Sequence, residues 1–213
     1  MMLVIFDCDG VLVDSERLSA EVFSAQLALF GIAMTPAECE EMFRGHTMDY
    51  CFQELERLYP NALPEDFLSL LAVATEKYFS EHLRPVPGVE AVLQWLQKIN
   101  VPFCVASNGS LKKIRHSLSV VGFGGYFEDR CFSAESVPQG KPAPDLFLSA
   151  ARHMGFSPNE TIVVEDSVAG VTAAKRAGMT VFRYTSVQDA NLNVISFDHM
   201  SKLQSLIENH QPT

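Results

Sequence analysis

Two aspartates, Asp7 and Asp9, stand two residues apart directly after the hydrophobic run Leu3–Phe6. Residues with this spacing at the end of a strand point to the same side. Two carboxylates on one side can divide the work of group transfer, one as nucleophile or metal ligand and the other as proton shuttle. Gly10 follows them and permits a sharp turn. Because solvated turns and calcium loops also carry such acids, the pair alone is only a candidate site.

A second acidic pair, Glu165 and Asp166, follows the apolar run Ile162–Val164. Carboxylates at the ends of two strands of one sheet can converge on a hard cation, and oxygen ligands together with water are what Mg²⁺ prefers. The competing interpretation makes Asp166 the N-cap of the next helix. That interpretation gives no reason for a second acid at Glu165.

Two further segments carry groups that suit phosphate. Ser107, Asn108 and Gly109 end another hydrophobic run just before a helical pattern, where a hydroxyl and backbone N–H groups can bind an anion. A helix-capping turn is the commoner meaning of such a segment. Lys141 stands between Gly140 and a proline, and an ammonium fixed there would offset the negative charge of a phosphate crowded against carboxylates. By itself, this lysine is more typical of an exposed turn.

These polar groups need a sheet that brings them together. Four apolar runs are short, continuous and without alternation, as in strands that are buried on both faces of a parallel sheet. The runs are Leu3–Phe6, Val101–Ala106, Ile162–Val164 and Thr180–Phe182. Two helical stripes flank the second run. Before it come Val89, Val92, Leu93 and Leu96, and after it come Leu111, Ile114, Leu118 and Val121. The alternation predicts an α/β fold with a Rossmann-like doubly wound parallel sheet, which binds ligands at the carboxyl ends of its strands.

The stretch from residue 15 to residue 83 shows helical patterns and no convincing strand. Two stripes repeat at helical spacing: Leu18, Val22, Ala25 and Leu29, and then Phe67, Leu71, Ala74 and Tyr78. Thr35 to Glu38 is typical of a capping box with proline at the first helical position, and Pro64 indicates another helix start. We therefore predict an α/β catalytic core of residues 1–14 and 84–213 and an inserted all-helical cap of residues 15–83. A helical insert beside a catalytic loop is a natural lid.

The overall charge limits the partners of the chain. Its 213 residues carry a formal net charge of -10 at pH 7, which disfavours nucleic acids and anionic membranes. The same charge opposes an anionic substrate, so a phosphate site would need a metal ion and placed cations that reverse the field locally. We expect a small phosphorylated metabolite as the partner and a monomer or weak homodimer as the assembly.

Cysteine usage and hydrophobicity favour the cytoplasm. The five cysteines are odd in number and scattered, with no CxxC pair, which indicates reduced thiols. The apolar start of the chain stops at Asp7 and lacks the basic flank of a signal peptide. No apolar run approaches the ~18 residues of a membrane helix. We expect a cytoplasmic protein.

The four polar segments occur together and in a characteristic order. They are DCDGVLVDS from Asp7 to Ser15, the strand end at Ser107, the Gly-Lys-Pro lysine and the Glu165–Asp166 pair. The set resembles the four motifs of the haloacid dehalogenase superfamily of phosphotransferases. The helical insert resembles the cap that follows the first motif in its β-phosphoglucomutase- and phosphatase-like subfamily. The resemblance extends from residue 3 to about residue 185.

The resemblance implies a Mg²⁺-dependent phosphatase with a role for each motif. Asp7 would attack phosphorus and form an aspartyl phosphate. Asp9 would protonate the leaving oxygen and then activate water. Ser107 and Lys141 would hold the transferring phosphoryl group. These roles agree with the physical demands of phosphoryl transfer, which are in-line positioning and charge neutralisation.

The resemblance also implies the ligands of the metal. Mg²⁺ would be bound by the Asp7 carboxylate, the Asp9 backbone carbonyl and Asp166, with Glu165 ligating directly or through water. Dehalogenases of the same fold need no metal and lack the second aspartate of the first motif. Asp9 and the late acidic pair therefore argue against dehalogenation.

Two other functions stay open on the sequence. A β-phosphoglucomutase-like sugar phosphate mutase is the nearer one, but its pattern has a histidine five positions after Asp14, where this chain has Ser19. A non-catalytic phospho-aspartate regulatory protein is the remoter one. Receiver domains place the acid pair after the first strand and the phosphorylated aspartate after a middle strand. Here the order is reversed, and receivers need no helical insert.

Two segments bear on the substrate. The segment from Phe43 to Thr47 resembles the substrate-specificity loop of the cap, and we hypothesise that Arg44 pairs there with an anionic group of the substrate. A surface turn with a solvated arginine is an equal alternative. The Ser-Asn-Gly form, with Asn108 as a substrate-binding candidate, resembles bacterial members that hydrolyse 6-phosphogluconate and similar sugar or sugar-acid phosphates.

Three basic residues, Lys112, Lys113 and Arg115, follow this segment closely. We expect all three on the solvated face of a helix. Lys112 is close enough in the sequence to add positive field to the site.

Overall fold

The sheet of the core has six strands in the part of the chain that is described. The computed structural model describes residues 2–43, 46–187 and 192–210. The strands are β1 (Leu3–Phe6), β2 (Phe103–Ser107), β3 (Cys131–Ser133), β4 (Thr161–Glu165), β5 (Thr180–Tyr184) and β6 (Ile195–Phe197). They pair in parallel in the order β3-β2-β1-β4-β5-β6. The chain reverses its direction of winding between β1 and β4, and open parallel sheets bind ligands at such a point.

Between residues 15 and 83 the described part of the chain forms four helices. These are α1 (Glu16–Leu29), α2 (Pro36–Phe43), α3 (Met48–Leu58) and α4 (Phe67–His82). They pack around an apolar core of their own, which includes Phe23, Leu27, Cys51, Leu55 and Phe67. The predicted capping box is present, because the Thr35 N–H donates to Glu38 Oε2 at 2.7 Å and the Glu38 N–H to Thr35 Oγ1 at 3.3 Å. The later helix begins at Phe67, a short turn after Pro64.

Helices cover both faces of the sheet, which confirms the predicted fold class. They are α5 (Val89–Lys98), α6 (Leu111–Val120), α7 (Gly124–Phe127), α8 (Asp145–His153), α9 (Val168–Arg176) and α10 (Ser201–Asn209). Val4 and Phe6 of β1 lie in the layer with α5, α6, α7 and α10, and Leu3 and Ile5 lie in the layer with α8 and α9. Burial of each such side chain stabilises the fold by about 1.5–3 kcal/mol. None of the described helices combines the length and the apolar content needed to cross a membrane.

The insert leaves and re-enters the core at one place. Val13 and Pro85 form an isolated antiparallel bridge, and the Asp14 N–H donates to the Arg84 carbonyl oxygen at 2.9 Å. These contacts follow Asp9 by only a few residues. They therefore hold the four helices beside the carboxyl ends of the strands.

Two short strands have no counterpart among the predicted runs. β3 and β6 have three residues each and form the two edges of the sheet. Edge strands are exposed on one side, as Ile195 is here, so they lack the continuous apolar run of a central strand. β2 also begins two residues later than predicted, at Phe103, because Pro102 before it has no N–H to donate to a neighbouring strand.

The buried face of α1 differs from the predicted stripe. Leu18 is buried, but Ala25 and Leu29 are exposed, and Phe23 and Leu27 are buried instead. Leu18 packs in the core under the sheet, whereas Phe23 and Leu27 pack in the core of the insert. Helix α1 thus packs against two hydrophobic cores, and the face that it buries changes along its length.

Candidate active site

The carboxyl ends of β1, β2 and β4 and the inserted helices enclose a cavity of about 730 Å³. This volume suits one small metabolite. The predicted site residues that the structure describes all line it: Asp7, Asp9, Ser107, Asn108, Lys141, Glu165 and Asp166. Arg44 lies outside the described residues.

Asp7 is buried at the end of β1, with 7% of its surface exposed. Its Oδ1 accepts a hydrogen bond of 2.7 Å from Lys141 Nζ. Burial raises the pKa of Asp7 to about 7; the Lys141 ammonium opposes this rise, and the Glu165 and Asp9 carboxylates add to it. A nucleophile needs the ionised form, so this carboxylate requires nearby positive charge to be fully active at neutral pH.

Lys141 is a buried cation with three acceptors. Its Nζ donates to Asp7 Oδ1, to Glu165 Oε1 at 2.8 Å and to the Ala106 carbonyl oxygen at 2.9 Å. Burial lowers the pKa of a lysine, but the carboxylates of Asp7 and Glu165 outweigh burial and hold the pKa of Lys141 above its usual range. The ammonium therefore stays charged, and it bridges Asp7 of the first motif and Glu165 of the last.

Asn108 fixes the backbone of Lys141. Its Oδ1 accepts from the Lys141 N–H at 2.9 Å, and its Nδ2 donates to the Lys141 carbonyl oxygen at 3.1 Å. A side chain at Gly140 would lie 2.7 Å from the same Oδ1, so this contact needs glycine there. The sequence predicted Asn108 as a substrate-binding residue, and the positioning contact of its side chain was not foreseen.

Three buried carboxylates, those of Asp7, Glu165 and Asp166, place oxygen atoms within 4.8 Å of one another. Burial raises the pKa of Asp166 well above its usual range, and the Glu165 carboxylate adds to the rise. A side chain at Gly10, whose φ is 75°, would come within 2.6 Å of Asp166 Oδ2. An all-oxygen donor set whose negative charge exceeds the charge of Lys141 fits a hard divalent cation such as Mg²⁺.

Glu165 is held by the start of α9. Its Oε2 accepts from the Ser167 N–H at 2.8 Å and from the Ser167 hydroxyl at 2.9 Å. Ser167 Oγ accepts in turn from the Gly170 N–H at 3.0 Å, so Ser167 is the N-cap of α9. The alternative interpretation of Asp166 as the cap is therefore wrong.

Asp9 is held by two donors. Lys113 Nζ donates to both of its oxygens, at 2.8 Å and 2.7 Å, and the Ser15 hydroxyl donates to Oδ1 at 2.5 Å. Burial raises the pKa of a carboxyl group, but the Lys113 ammonium and the Ser15 hydroxyl outweigh burial and hold the pKa of Asp9 below its usual range. In this structure Asp9 is thus in the form that can accept a proton from water.

The expectation for the basic residues of α6 was wrong in one respect. Lys113 reaches the site, whereas Lys112 is exposed and pairs with Glu76 of α4 at 2.6 Å. Helical side chains point back toward the N-terminus of their helix. Lys113 lies in the first turn of α6, which follows β2 at once, so its side chain points back over the strand ends. The position of this lysine in the first turn was the signal that could have identified it.

Ser107 ends β2 and is buried. Its hydroxyl oxygen accepts from the Gly109 N–H at 3.2 Å. The cap of α6 is Ser110, which accepts from the Lys113 N–H at 3.2 Å. The helix-capping interpretation therefore applies to Ser110 and leaves Ser107 at the cavity.

The insert adds polar groups to the opposite wall. Ser19, His46 and Thr47 line the cavity. The His46 ring stacks on Tyr50 with ring centroids 4.0 Å apart, and Thr47 caps α3 by accepting from the Tyr50 N–H at 3.3 Å. Ser19, which occupies the position of the mutase histidine, thus lines the cavity.

Comparison with known proteins identifies the family. The family model described as haloacid dehalogenase-like hydrolase matches residues 1–178. The chain belongs to the haloacid dehalogenase-like hydrolases. The 6-phosphogluconate phosphatase of Escherichia coli is 30% identical over 220 residues, which cover 95% of this chain and 93% of that protein. Hexitol phosphatase A of the same organism is 30% identical over 187 residues, which cover 87% and 83% of the two chains.

A solved structure of the family shares the architecture. It is a HAD family hydrolase from Deinococcus radiodurans with bound phosphate and sodium. Its identity is 27% and its TM-score 0.76, and the match covers 97% of this chain and 95% of that chain. The similarity to named phosphatases along nearly the whole chain makes this haloacid dehalogenase-like hydrolase a phosphoric monoester hydrolase.

Proposed function

We propose that this hydrolase is a Mg²⁺-dependent phosphatase that acts on sugar or sugar-acid phosphates through an aspartyl phosphate at Asp7. The observation that carries the proposal is the buried Asp7 carboxylate, held by Lys141 within a cluster of acids at the end of β1. The first substrate to test is 6-phosphogluconate. Its choice is supported by the Ser-Asn-Gly segment and by the name of the E. coli relative.

The first half of the reaction transfers the phosphoryl group to the protein. A carboxylate oxygen of Asp7 forms a bond to phosphorus as the bond from phosphorus to the ester oxygen breaks, and the leaving alcohol takes a proton from Asp9. Asp9 enters this half protonated, with the proton that it takes from water in the second half of the preceding turnover. Lys141 keeps Asp7 in position through Oδ1. Ser107 and Asn108 line the cavity, and the Ser107 hydroxyl would donate to a phosphate oxygen.

The second half returns the protein to its starting state. Asp9, as a carboxylate, takes a proton from a water molecule that attacks phosphorus, and the bond to Asp7 breaks. Asp7 and Asp166 would hold Mg²⁺ with the Asp9 backbone carbonyl, and Glu165 would do so directly or through water. The ion, when bound, supplies the positive charge that offsets the crowding of carboxylates and phosphate.

Hydrolysis is favoured over the mutase alternative. A mutase keeps water out and returns the phosphoryl group to a second sugar hydroxyl. The position that carries the mutase histidine is Ser19 here, and it lies in the cavity wall. A hydroxyl cannot take the proton-transfer role of an imidazole at neutral pH.

Phosphate release tests the proposal. The purified protein is assayed with Mg²⁺ on 6-phosphogluconate, a hexitol phosphate, glucose 1-phosphate and p-nitrophenyl phosphate, with Asp7→Asn as the blank. We expect phosphate release from at least one sugar or sugar-acid phosphate and from p-nitrophenyl phosphate, and no release by the blank. Conversion of glucose 1-phosphate to its 6-phosphate without release would support the mutase instead. No turnover of any compound would overturn the proposal.

We further propose that the protein works in the cytoplasm as a monomer or weak homodimer. The described cysteines are free thiols, as in proteins of a reducing compartment. A specific activity that is independent of protein concentration would support a site that needs no second chain. A specific activity that falls on dilution would contradict it.

A further inference from the structure

Lys113 connects the acid/base carboxylate of the core to the inserted helices. Its ammonium contacts both oxygens of Asp9 at 2.7–2.8 Å and lies 5.6 Å from the centroid of the Phe79 ring. Phe79 is a buried residue of α4. The lysine side chain is 30% exposed and borders the cavity. The side chain of Lys113 thus contacts both Asp9 of the core and Phe79 of the insert.

The surroundings of Lys113 hold α4 against α6. His116 Nε2 lies 3.1 Å from the Glu76 carbonyl oxygen and 3.3 Å from Ser80 Oγ, one turn along the same two helices. Lys112 pairs with the Glu76 carboxylate. The Phe79 ring is therefore presented to Lys113 only while α4 rests on α6. An ammonium over an aromatic ring gains a further attraction that fixes its direction.

The remaining donor to Asp9 cannot fix the carboxylate alone. Ser15 donates one hydrogen bond, to Oδ1. A carboxylate with a single donor can rotate about its last side-chain bond, whereas two donors on Oδ1 and one on Oδ2 fix its plane. Asp7 has a separate holder in Lys141. Loss of Lys113 should therefore disturb Asp9 and leave Asp7 in place.

We propose that Lys113 is a positioning residue that holds Asp9 toward the leaving oxygen when α4 rests on α6. This role rests on the proposed function. It concerns proton transfer to the leaving group, so it depends on which leaving group departs. A sugar alkoxide needs the proton, whereas p-nitrophenolate departs without one. The parameter kcat/KM covers the reaction up to transfer of the phosphoryl group, which is the step that differs between the two substrates.

The test compares Lys113→Met with Lys202→Met on the best sugar phosphate and on p-nitrophenyl phosphate. We expect Lys113→Met to lower kcat/KM about 10²-fold on the sugar phosphate, the usual size of an acid/base contribution, and only a few-fold on p-nitrophenyl phosphate. Lys202→Met removes an exposed ammonium that pairs with Asp198 and does not line the cavity, and it should change neither value more than a few-fold. Lys113→Arg keeps a two-pronged donor and should recover much of the loss.

Each other outcome counts against this role. An equal loss on both substrates would show that Lys113 binds phosphate or supports the fold, and would overturn the positioning role. A change in KM alone would do the same. Indistinguishable behaviour of Lys113→Met and Lys202→Met in an active protein would overturn it while the proposed function stands. No turnover by the unsubstituted protein would overturn the proposed function and this role with it. Melting curves of the variants separate unfolded protein from lost positioning, and Lys113→Arg provides the comparison if Lys113→Met does not fold.

Discussion

At the scale of single residues, the site concentrates negative charge on buried side chains. Asp7, Glu165 and Asp166 are buried around one ammonium, that of Lys141. Burial raises the pKa of Asp7 to about 7 from an ordinary value of 3.8. Without a metal ion, ionisation of Asp7 therefore opposes folding, and the cluster needs a cation both for chemistry and for stability at neutral pH.

The substitution Asp7→Asn should stabilise the metal-free protein. Because the pKa of Asp7 is raised on folding, its contribution to stability is fully present below about pH 4 and is lost as the pH rises toward about 7. At pH 8 the variant should exceed the wild type by roughly 1–3 kcal/mol, and the difference should shrink toward pH 4. Calorimetry with a chelator from pH 4 to pH 8 measures this. Asp198→Asn, at an exposed aspartate paired with Lys202, is the control, and an Asp7→Asn variant that melts lower at pH 8 would contradict the account.

Added Mg²⁺ should stabilise the wild-type protein through the same acids. A ligand at 100 times its Kd stabilises by about 2.7 kcal/mol, which is roughly 5–10 °C in Tm for a protein of this size. Asp166→Asn should lose most of this shift because it removes one of the three clustered carboxylates. Differential scanning fluorimetry at pH 7.5 measures it, with Asp198→Asn again as the control. A shift of wild-type size in Asp166→Asn would place the ion elsewhere.

At the scale of elements, the sequence predicted the central strands and the acidic residues at their ends. β1 and β4 are continuous apolar runs that stop at acidic pairs, so both the strands and the acids at their ends were predictable. Contacts that depend on the direction of a side chain were not. The Asn108 amide, bonded to the Lys141 backbone, has no pattern of its own in the sequence, and Lys113 is marked only by its position in the first turn of α6.

Gly170 shows how an element constrains the site. It lies in the first turn of α9, and a side chain there would fall 1.7 Å from Glu165 Oε1. Glu165 cannot move away freely, because Ser167 and Lys141 hold its two oxygens. We expect Gly170→Ala to lower stability by about 1–3 kcal/mol, as other overpacked sites do, and to lower kcat as Glu165 shifts.

The control for this prediction is Gly125→Ala. Gly125 is also in a helix, α7, and a side chain there meets nothing within 4 Å. Urea unfolding and phosphate release with Mg²⁺ measure both variants. Equal stability and activity of Gly170→Ala and Gly125→Ala would show that Glu165 has room to move and that its position does not matter.

At the scale of the whole molecule, the core and the insert supply different parts of the cavity wall. The core supplies the clustered acids, Lys113 and Lys141, whereas Ser19, His46 and Thr47 come from the insert. Helical patterns and caps predicted the insert from the sequence. They could not predict its placement, because α4 meets α6 through side chains such as Glu76 and Lys112, far apart in the chain.

Arg44→Ala tests substrate recognition by the insert. If Arg44 pairs with the carboxylate of 6-phosphogluconate, the variant should raise KM for this substrate about 10- to 100-fold, the usual effect of losing a hydrogen bond to a charged group. KM for p-nitrophenyl phosphate should change little. Arg57→Ala removes an exposed arginine that pairs with Glu54 and is the control. An unchanged KM for 6-phosphogluconate would reject the hypothesis.

The central claim is that Asp7 receives the phosphoryl group, and trapping the intermediate tests it most directly. In Asp9→Asn, attack by water is slowed, while p-nitrophenyl phosphate still transfers its phosphoryl group because its leaving group needs no proton. The enzyme is mixed with this substrate and Mg²⁺, quenched in acid and reduced with borohydride, which converts a phosphorylated aspartate to homoserine. We predict a burst of about one p-nitrophenol per chain and homoserine at position 7 by mass spectrometry. A burst with homoserine at another acid, or rapid turnover with position 7 unmodified, would contradict the account.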